Sequence, residues 1–427
     1  MSKNYNSKNS LADLLNDAQR KKLGATSATP NILNPIYIKT FEELEKAAAK
    51  WQKSSQIAID TEFDDNNNYY GRHLCLVQIY DKDKIYLIDT VKLKGNIQPL
   101  LSILENSNIE KLFHSCSSDL IVLADVCSCQ VKNIQDTALM YRFLLKSSND
   151  IGLQTLVEEK LEIELEKQEQ VSDWAKRPLT KAQLIYAATD VVYLFELFEL
   201  LKDELQQLNR WDWYNEERQR LEEIGNENIQ DAENKNEVAA LRAVIKYKFA
   251  EENRVRFMMY WNLRDEIAKN VNRPHYRVIS NNRLAEIIEK PPKKLDDWET
   301  LKGSSHHFKR RADEFFELSK IDLSDRKYPL FKEIDKQIEE KEIYYQNKKQ
   351  HQRMLHQREI MFNNLREALT DYNGLNIQSL ILSNKNKNEA LWNGIESITN
   401  TWKMKVLENI AKKNEWNLDI LKGALKK

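Results

Sequence analysis

The sequence lacks long apolar runs and has few glycines and prolines. No stretch approaches the roughly 18 consecutive apolar residues that a membrane helix needs, and the first ten residues, MSKNYNSKNS, lack the apolar segment of a secretion signal. Only 9 Gly and 8 Pro among 427 residues leave little room for long flexible linkers. We therefore expect a folded cytoplasmic protein with no membrane partner.

Paired metal-binding cysteines and a nucleotide-binding loop are also missing. The four cysteines, Cys75, Cys116, Cys127 and Cys129, form no C-x-x-C pair, which argues against a zinc site or a disulfide framework and favours free, mostly buried thiols. The sequence contains no G-x-x-x-x-G-K-[ST] segment. A helicase, or another protein that binds a nucleoside triphosphate, is therefore not expected.

Hydrophobic periodicity indicates α/β structure in the first half and helices in the second. QIAIDTEF, HLCLVQIY and KIYLID alternate like three closely spaced antiparallel strands, and SDLIVLADV is typical of a helix. Thr180 followed by Gln183 forms a capping-box signature that predicts the start of another helix. The polar segment GNENIQDAENKNE, from about residue 226, is interpreted as an interdomain linker.

Two acidic residues stand two positions apart at the end of an apolar strand. Alternate residues of a strand face the same side, so Asp60 and Glu62 of IDTEF project together. Two like charges in this arrangement are unfavourable unless a cation lies between them. Because the motif is short, an exposed acidic strand end is the alternative.

Two further carboxylates also allow more than one interpretation. Asp190 follows Tyr186 by four residues on the predicted helix, so the phenol and the carboxylate share a face and can hold a water or a phosphate. Within its apolar surroundings Asp190 is an ion-pair partner, a cleft residue or a metal ligand. Asp119 is an N-terminal helix acid or a further ligand. Four such carboxylates together would provide the oxygen ligands that a pair of hard divalent cations requires.

The charge is unevenly distributed along the chain. The formal net charge is only −1, but acidic residues outnumber basic ones over residues 1–225 and the reverse holds beyond them. An acidic half that holds metal ions and a basic half that contacts phosphates would suit a nuclease, although a modest bias of this size also arises by chance.

Three segments resemble the motifs of the DEDD exonucleases. IAIDTEF is similar to the first motif of that family, KLFHSCSSDL to the second, and YAATD to the third, in the variant with a tyrosine four residues before the aspartate. LEKQEQVSDWAKRPLTKAQLIYAATDVVYL looks especially like the ribonuclease D members, including its S-D-W-x-x-R-P-L-T run. The resemblance covers roughly residues 35–220.

The resemblance implies an α/β RNase H-like domain, with a mixed sheet and flanking helices. It implies a 3′-to-5′ exoribonuclease that releases 5′-nucleoside monophosphates, acts on RNA such as tRNA precursors in tRNA 3′-end maturation, and uses two divalent ions, Mg²⁺ or Mn²⁺. Asp60 would bridge the two ions, Glu62 and Asp190 would complete the site of the attacking water, and Asp119 would serve the second ion. Tyr186 would orient the water.

Four other residues are candidate substrate contacts, each with a structural alternative. Phe63 stacks on the terminal base or belongs to the strand core. Arg177 contacts a phosphate or fixes its loop through a carboxylate. His114 and Gln78 occupy positions in the apolar-strand motifs of the family, and His114 is equally explained as a hydrogen-bonded core residue.

Beyond the linker, LRAVIKYKFAEENRVRFMMYWNLRDEIAKNVNRPHYRVISNNRLAEII resembles an HRDC domain, and LREALTDYNGLNIQSLILSNKNKNEAL looks like a second, more divergent copy. Both are expected to be all-α, and to bind RNA rather than take part in catalysis. The predicted organisation is an extension over residues 1–29, the exonuclease domain over 30–225, a first HRDC domain over 235–315 and a second HRDC-like domain over 345–427.

Two other functions are compatible with the same motifs. A DNA-directed 3′-to-5′ exonuclease would use the same four carboxylates, because these ligands do not distinguish the two sugars. A non-catalytic RNA-binding protein built on the same fold is the second alternative, although all five expected site residues are present.

Overall fold

The computed structural model describes residues 34–65, 67–144, 151–165, 172–230, 235–247, 249–323, 347–373, 376–398 and 400–425. The predicted extension over residues 1–29 lies outside this part of the chain. The chain divides into two compact units. The first comprises Met1–Phe63, Leu74–Ile229 and Tyr344–Lys427, and the second comprises Asp64–His73 and Gln230–Ile343.

The first unit contains a mixed sheet with six strands in the described part of the chain. The strands are β1 (Ile36–Ile38), β2 (Gln56–Asp65), β3 (Arg72–Tyr80), β4 (Ile85–Ile88), β5 (Glu110–Phe113) and β6 (Ile134–Asp136). Their order is β1-β4-β3-β2-β5-β6. Strand β1 is parallel to β4, and β3 is antiparallel to β4. On the other side of the sheet, β5 lies between β2 and β6 and is parallel to both. Three residues are too few to show a period, so β1 was not predicted from the sequence.

Helices flank this sheet, as predicted. They are α1 (Phe41–Trp51), α2 (Gln98–Leu104), α3 (Ser117–Cys127), α4 (Thr137–Arg142), α5 (Leu153–Leu161), α6 (Lys181–Val192), α7 (Leu194–Gln207) and α8 (Trp211–Gln230). The capping box of α6 is confirmed, because the Thr180 hydroxyl accepts a hydrogen bond from the Gln183 N–H while the Gln183 side chain accepts one from the Thr180 N–H. Helix α6 therefore begins where the sequence predicted.

The two faces of the sheet enter different hydrophobic cores. In β2, Ala58 belongs to one core, whereas Ile57 and Ile59 belong to the other. The period-2 alternation of a strand therefore places Asp60 and Glu62 on the Ala58 face. Helix α6 belongs to the core on that face and packs against β4.

In its described part, the second unit is mainly helical beyond residue 230, and residues 64–73 include the end of β2 and the start of β3. Its helices are α9 (Lys235–Tyr247), α10 (Glu251–Asn270), α11 (His275–Val278), α12 (Asn281–Glu289), α13 (Leu295–Glu299), α14 (His306–Lys309) and α15 (Ala312–Lys320). They enclose a core of their own that includes Trp298 and Phe308. The Ser280 side chain caps α12, because its hydroxyl accepts a hydrogen bond from the Arg283 N–H.

The linker prediction needs correction at its start. Helix α8 continues to Gln230 and α9 begins at Lys235, so only residues 231–234 of the predicted linker lie outside the described chain. The Asn, Glu and Gln residues over 226–230 do not exclude a helix, because helix propensity penalises these residue types only weakly.

The C-terminal helices belong to the first unit. They are α16 (Gln352–Ala368), α17 (Gln378–Ile381), α18 (Asn384–Asn393) and α19 (Thr401–Lys413), with short 3₁₀ turns at Leu369–Asp371, Ile395–Ser397 and Leu418–Leu421. Their buried residues, such as Phe362 and Leu407, share one hydrophobic core with the helices of the exonuclease domain. The Trp402 ring stacks on that of Trp213, with ring centroids 5.2 Å apart.

Two expectations from composition can be compared with the fold. All four cysteines lie in the described chain and form no disulfide there, and Cys75, Cys116 and Cys129 are buried, as predicted. Of the helices in the described ranges, none has the length and apolar character required to cross a membrane.

Candidate active site

Three of the predicted ligands lie together beside the second half of β2, which continues to Asp65. The carboxylates of Asp60, Glu62 and Asp190 each place an oxygen so that the three oxygens lie within 4.8 Å of one another, and these three residues are called the acidic cluster. Asp60 and Glu62 share one face of the strand, and Asp190 reaches them from the last turn of α6. The cluster thus joins residues that are far apart in sequence.

The carboxylates raise one another's pKa values. Burial raises the pKa of Asp60 well above its ordinary value, and the charges of Asp190 and Asp119 raise it further. Burial also raises the pKa of Glu62, followed by the charges of Asp60, Asp190 and Asp119. Burial raises the pKa of Asp190 as well. A cation among these oxygens would offset both the repulsion and the lost hydration.

Asp119 lies beside this cluster and has a separate partner. It occupies the first turn of α3, and its side chain accepts a hydrogen bond of 2.5 Å from the Thr61 hydroxyl. Burial raises its pKa, while the Thr61 hydrogen bond lowers it. Because its charge contributes to the raised pKa values of Asp60 and Glu62, Asp119 is part of the same electrostatic site.

Tyr186 and Asp190 lie on one face of α6, as their spacing predicted. The Tyr186 hydroxyl lies within hydrogen-bonding reach of Asp190, and its pKa is raised by burial and then by the charges of Asp190, Glu62 and Asp60. The Tyr186 ring also lies against Trp174, with ring centroids 6.0 Å apart. The phenol therefore stays protonated and can donate a hydrogen bond into the acidic cluster.

Sequence reasoning missed two residues that position Asp119. Thr61, the middle residue of the D-x-E motif, was not considered. Asp136 accepts hydrogen bonds from the N–H groups of Ser115, Cys116, Ala138 and Leu139, and so fixes the loop that leads into α3. Its position before α4 is an N-cap signal that the sequence contained.

Two of the candidate substrate contacts, Arg177 and His114, form hydrogen bonds with other groups of the protein. Arg177 donates to both carboxylate oxygens of Asp89, at 2.7 and 2.8 Å, and to the carbonyls of Trp174 and Cys75. His114 donates to the Ile151 carbonyl at 3.0 Å through one ring nitrogen and contacts the Thr137 hydroxyl with the other. For both residues, these contacts agree with the structural alternative that the sequence left open.

The other two candidates sit in or beside the cores. Phe63 is half-buried against the core on the opposite face of β2 from Asp60 and Glu62. Gln78 is fully buried in β3, and its amide has no hydrogen-bond partner within the described chain.

The donor set fits a divalent metal ion. The cluster offers only carboxylate oxygens, and oxygen is the ligand that hard divalent cations such as Mg²⁺ and Mn²⁺ prefer. Thiol or imidazole ligands, which a structural zinc site would use, are not part of the cluster found among the described residues.

The fold and the site together define a nuclease. Residues 35–206 match the 3′-5′ exonuclease family, and residues 257–318 match the HRDC domain. The chain is 32% identical over 268 residues to ribonuclease D of Sphingobium indicum, which covers 62% of this chain and 67% of that protein. It is 33% identical over 276 residues to ribonuclease D of Shewanella sp. (strain ANA-3), which covers 64% of this chain and 69% of that protein. The chain belongs to the ribonuclease D family of 3′-5′ exoribonucleases.

Solved structures confirm the predicted fold. The crystal structure of Escherichia coli RNase D superposes with a TM-score of 0.62 at 20% identity, covering 89% of this chain and 99% of that one. The predicted mixed sheet with flanking helices, followed by a helical C-terminal region, is therefore confirmed, and residues 257–318 match the first of the two predicted HRDC domains.

Proposed function

We propose that the chain removes nucleotides one at a time from RNA 3′ ends by hydrolysis that depends on two divalent cations. The observation that supports this most directly is the convergence of Asp60, Glu62 and Asp190 within 4.8 Å, with Asp119 beside them. A water oxygen bonds to phosphorus while the bond from phosphorus to the 3′ oxygen of the preceding nucleotide breaks. A 5′-nucleoside monophosphate leaves.

Each side chain of the site would have a separate role in holding the cations or the attacking water. Asp60 would be shared between two cations, Glu62 and Asp190 would complete the site nearest the attacking water, and Asp119 would hold the second cation. Bound Mg²⁺ or Mn²⁺ would lower the pKa of the water and neutralise the charge on the departing 3′ oxygen. The Tyr186 hydroxyl, beside Asp190, would donate a hydrogen bond that orients the water.

The proposed substrate is RNA, with tRNA precursors as the physiological class. The name ribonuclease D of relatives at 32–33% identity supports RNA as the polymer. Among the candidate contacts, Phe63 stays a proposed stacking residue because its ring is partly exposed, although the alternation of β2 places it on the face opposite Asp60 and Glu62. A DNA-directed exonuclease remains the second candidate function, because the carboxylates do not select the sugar.

The test is degradation of a 5′-labelled RNA by the purified protein with Mg²⁺ or Mn²⁺. We expect a ladder that shortens stepwise from the 3′ end, and faster degradation of RNA than of a DNA oligonucleotide of the same sequence. Asp60→Asn should lower the rate by more than about a hundredfold, because it removes a negative ligand from the centre of the cluster.

A matched control lies on the same strand. Asp65 is exposed and pairs with Arg72 at 2.8 Å, so Asp65→Asn makes the same chemical change outside the cluster. We expect it to retain the rate of the unaltered protein. Equal rates for both variants would remove Asp60 from the mechanism, and equal degradation of RNA and DNA would remove the preference for RNA.

A further inference from the structure

The Arg177 guanidinium joins three separate segments of the first unit. It donates to both carboxylate oxygens of Asp89, which follows β4, at 2.7 and 2.8 Å, and to the Cys75 carbonyl in β3 at 2.8 Å. It also donates to the carbonyls of Trp174 and Lys176 in its own loop, at 2.6 and 2.9 Å. These five hydrogen bonds occupy all five N–H groups of the guanidinium, so its donors hold the protein together rather than a phosphate.

Asp89 is the buried anion at the centre of this arrangement. Its side chain is 0% exposed, and it also accepts hydrogen bonds from the Tyr37 hydroxyl in β1 and from the Lys92 N–H at 2.9 Å. Burial by itself would raise the pKa of Asp89, but the hydrogen bonds from Arg177 and Tyr37 outweigh it and lower that pKa. Because either charge alone would be unfavourable here, the Arg177–Asp89 pair anchors the loop of Arg177 to the sheet.

This loop carries a tryptophan that lies against Tyr186. Trp174 is buried, and its ring centroid lies 6.0 Å from that of Tyr186. Within the described residues the Trp174 indole N–H has no hydrogen-bond partner, so the side chain makes no polar bond there that would fix its own direction. The direction of the ring therefore depends on its packing and on its backbone, which Arg177 holds through the Trp174 carbonyl.

The same loop is bonded to the first turn of α6. The Gln183 side chain donates to the Ser172 hydroxyl at 3.1 Å and to the Asp173 carbonyl at 3.4 Å. Helix α6 carries Tyr186 one turn further on. The loop and the start of the helix are therefore held as one piece, and the Arg177–Asp89 pair fixes that piece to the sheet.

We propose that Arg177 and Asp89 are positioning residues for Tyr186. The pair fixes the loop that carries Trp174, and the Trp174 ring holds the Tyr186 phenol with its hydroxyl at the acidic cluster, beside Asp190. A group that takes part in a reaction has to be kept within about 0.5 Å of its working position by neighbours that restrict its side-chain rotation. This inference rests on the proposed function, in which Tyr186 orients the attacking water.

The test removes both charges of the pair together, so that neither is left buried alone. Arg177→Met/Asp89→Asn abolishes the guanidinium bonds to the loop. Lys160→Met/Glu204→Gln is the matched control, because it removes an ion pair of the same unit, at 2.8 Å, that joins α5 to α7. Arg177→Lys is a milder variant that keeps the charge beside Asp89 but replaces the planar fork of five donors with a single ammonium.

Fluorine NMR of the protein labelled with meta-fluorotyrosine, recorded without metal, provides a measurement that does not depend on catalysis. The Tyr186 resonance is the one that disappears in Tyr186→Phe. We expect it to shift or broaden in both Arg177 variants, because the phenol leaves its fixed position, and to stay unchanged in the Lys160→Met/Glu204→Gln control. An unchanged Tyr186 resonance in both Arg177 variants would overturn the proposal, as would an equal change in the control.

The kcat and KM of RNA degradation with Mn²⁺ provide the second measurement. We expect Arg177→Met/Asp89→Asn to lower kcat by about tenfold to a hundredfold, because a misplacement of about 1 Å at a reacting group costs up to about a hundredfold. The KM for RNA should stay the same, since Arg177 has no donor left for a phosphate.

The same change in a Tyr186→Phe background shows whether the pair acts through the phenol. We expect it to lower kcat there by no more than about twofold, because the hydroxyl that the pair positions is already absent. An equal loss of kcat in both backgrounds would assign the pair a general structural role and overturn the proposal. If the unaltered protein degraded no RNA, the proposed function would be contradicted, and the fluorine spectra would still decide the role of Arg177.

Discussion

The Thr61 hydroxyl links the two sides of the acidic cluster. It donates to Asp119 at 2.5 Å, and both residues are buried. Thr61 lies between Asp60 and Glu62 in β2, so its hydroxyl connects the strand that carries two of the carboxylates to the helix that carries a third. If Asp119 binds a cation as proposed, the hydroxyl that orients it would contribute about tenfold to a hundredfold to metal affinity.

We predict that Thr61→Val lowers both activity and Mn²⁺ affinity by about tenfold to a hundredfold. The substitution preserves shape but leaves Asp119 without its hydrogen-bond donor. Activity and Mn²⁺ binding are measured on the same protein, because a purely structural role would lower stability without changing metal affinity.

Thr90 provides the control at this scale. Its hydroxyl is also buried and donates at 2.5 Å, but to the Leu74 carbonyl. Thr90→Val should therefore cost a similar free energy of unfolding, about 1 to 3 kcal/mol, and leave Mn²⁺ affinity unchanged. If both valine variants reduced Mn²⁺ binding equally, Thr61 would have no specific role in positioning Asp119.

At the scale of elements, α8 and α19 are joined by a buried charge. The Lys403 ammonium is 1% exposed and lies 2.7 Å from Glu217, and Asn400 also donates to Glu217 at 3.2 Å. Burial lowers the pKa of Lys403, while the charge of Glu217 raises it. The pair fixes the register of the two helices, since either charge left alone in this position would be unfavourable.

We predict that Lys403→Met destabilises the protein by about 2 kcal/mol. Glu217 then loses its main partner, although Arg220 at 3.8 Å and its 16% exposure reduce the cost below that of a fully buried charge. The measurement is urea unfolding followed by tryptophan fluorescence, to which the stacked Trp402 and Trp213 contribute.

The partner substitution shows whether the charge is responsible. Lys403→Met combined with Glu217→Gln should recover most of the lost stability, because no unpaired charge remains. The exposed pair Lys320 and Glu317 is the reference, and Lys320→Met should cost no more than about 1 kcal/mol. The explanation would be wrong if the double variant were as unstable as Lys403→Met alone.

At the scale of the whole molecule, the two helical regions differ in how they are built. The helices between Lys235 and Lys320 enclose a core of their own, whereas the C-terminal helices share one core with α4–α8. Deleting everything beyond residue 226 would therefore affect the fold as well as RNA binding. It would also expose part of the core beneath the helix that carries Asp190.

We predict that a chain ending at residue 343 loses cooperative thermal unfolding. We also predict that Trp402→Ala alone lowers the free energy of unfolding by about 3 to 5 kcal/mol, because it leaves a cavity beside Trp213 and Phe143. Calorimetry measures both. If the truncated chain unfolded cooperatively at the temperature of the full chain, the shared core would not be required for folding.

Local patterns in the sequence determined the elements and most of the site. The alternation of IAIDTEF fixed the common face of Asp60 and Glu62, because side chains of a strand repeat every two residues. The 3.6-residue period of a helix paired Tyr186 with Asp190, and the capping box marked where α6 begins. Each of these inferences depends only on neighbours in the chain.

Tertiary structure alone decided which distant groups meet. Nothing near Thr61 in sequence indicates its bond to Asp119, and nothing near Arg177 indicates its bidentate pair with Asp89. The shared core of α19 with the exonuclease helices, and the attachment of residues 64–73 to α11, likewise arise between segments that are remote in the chain. Helical periodicity shows that a face is buried but not what buries it, and that choice depends on the packing of the whole chain.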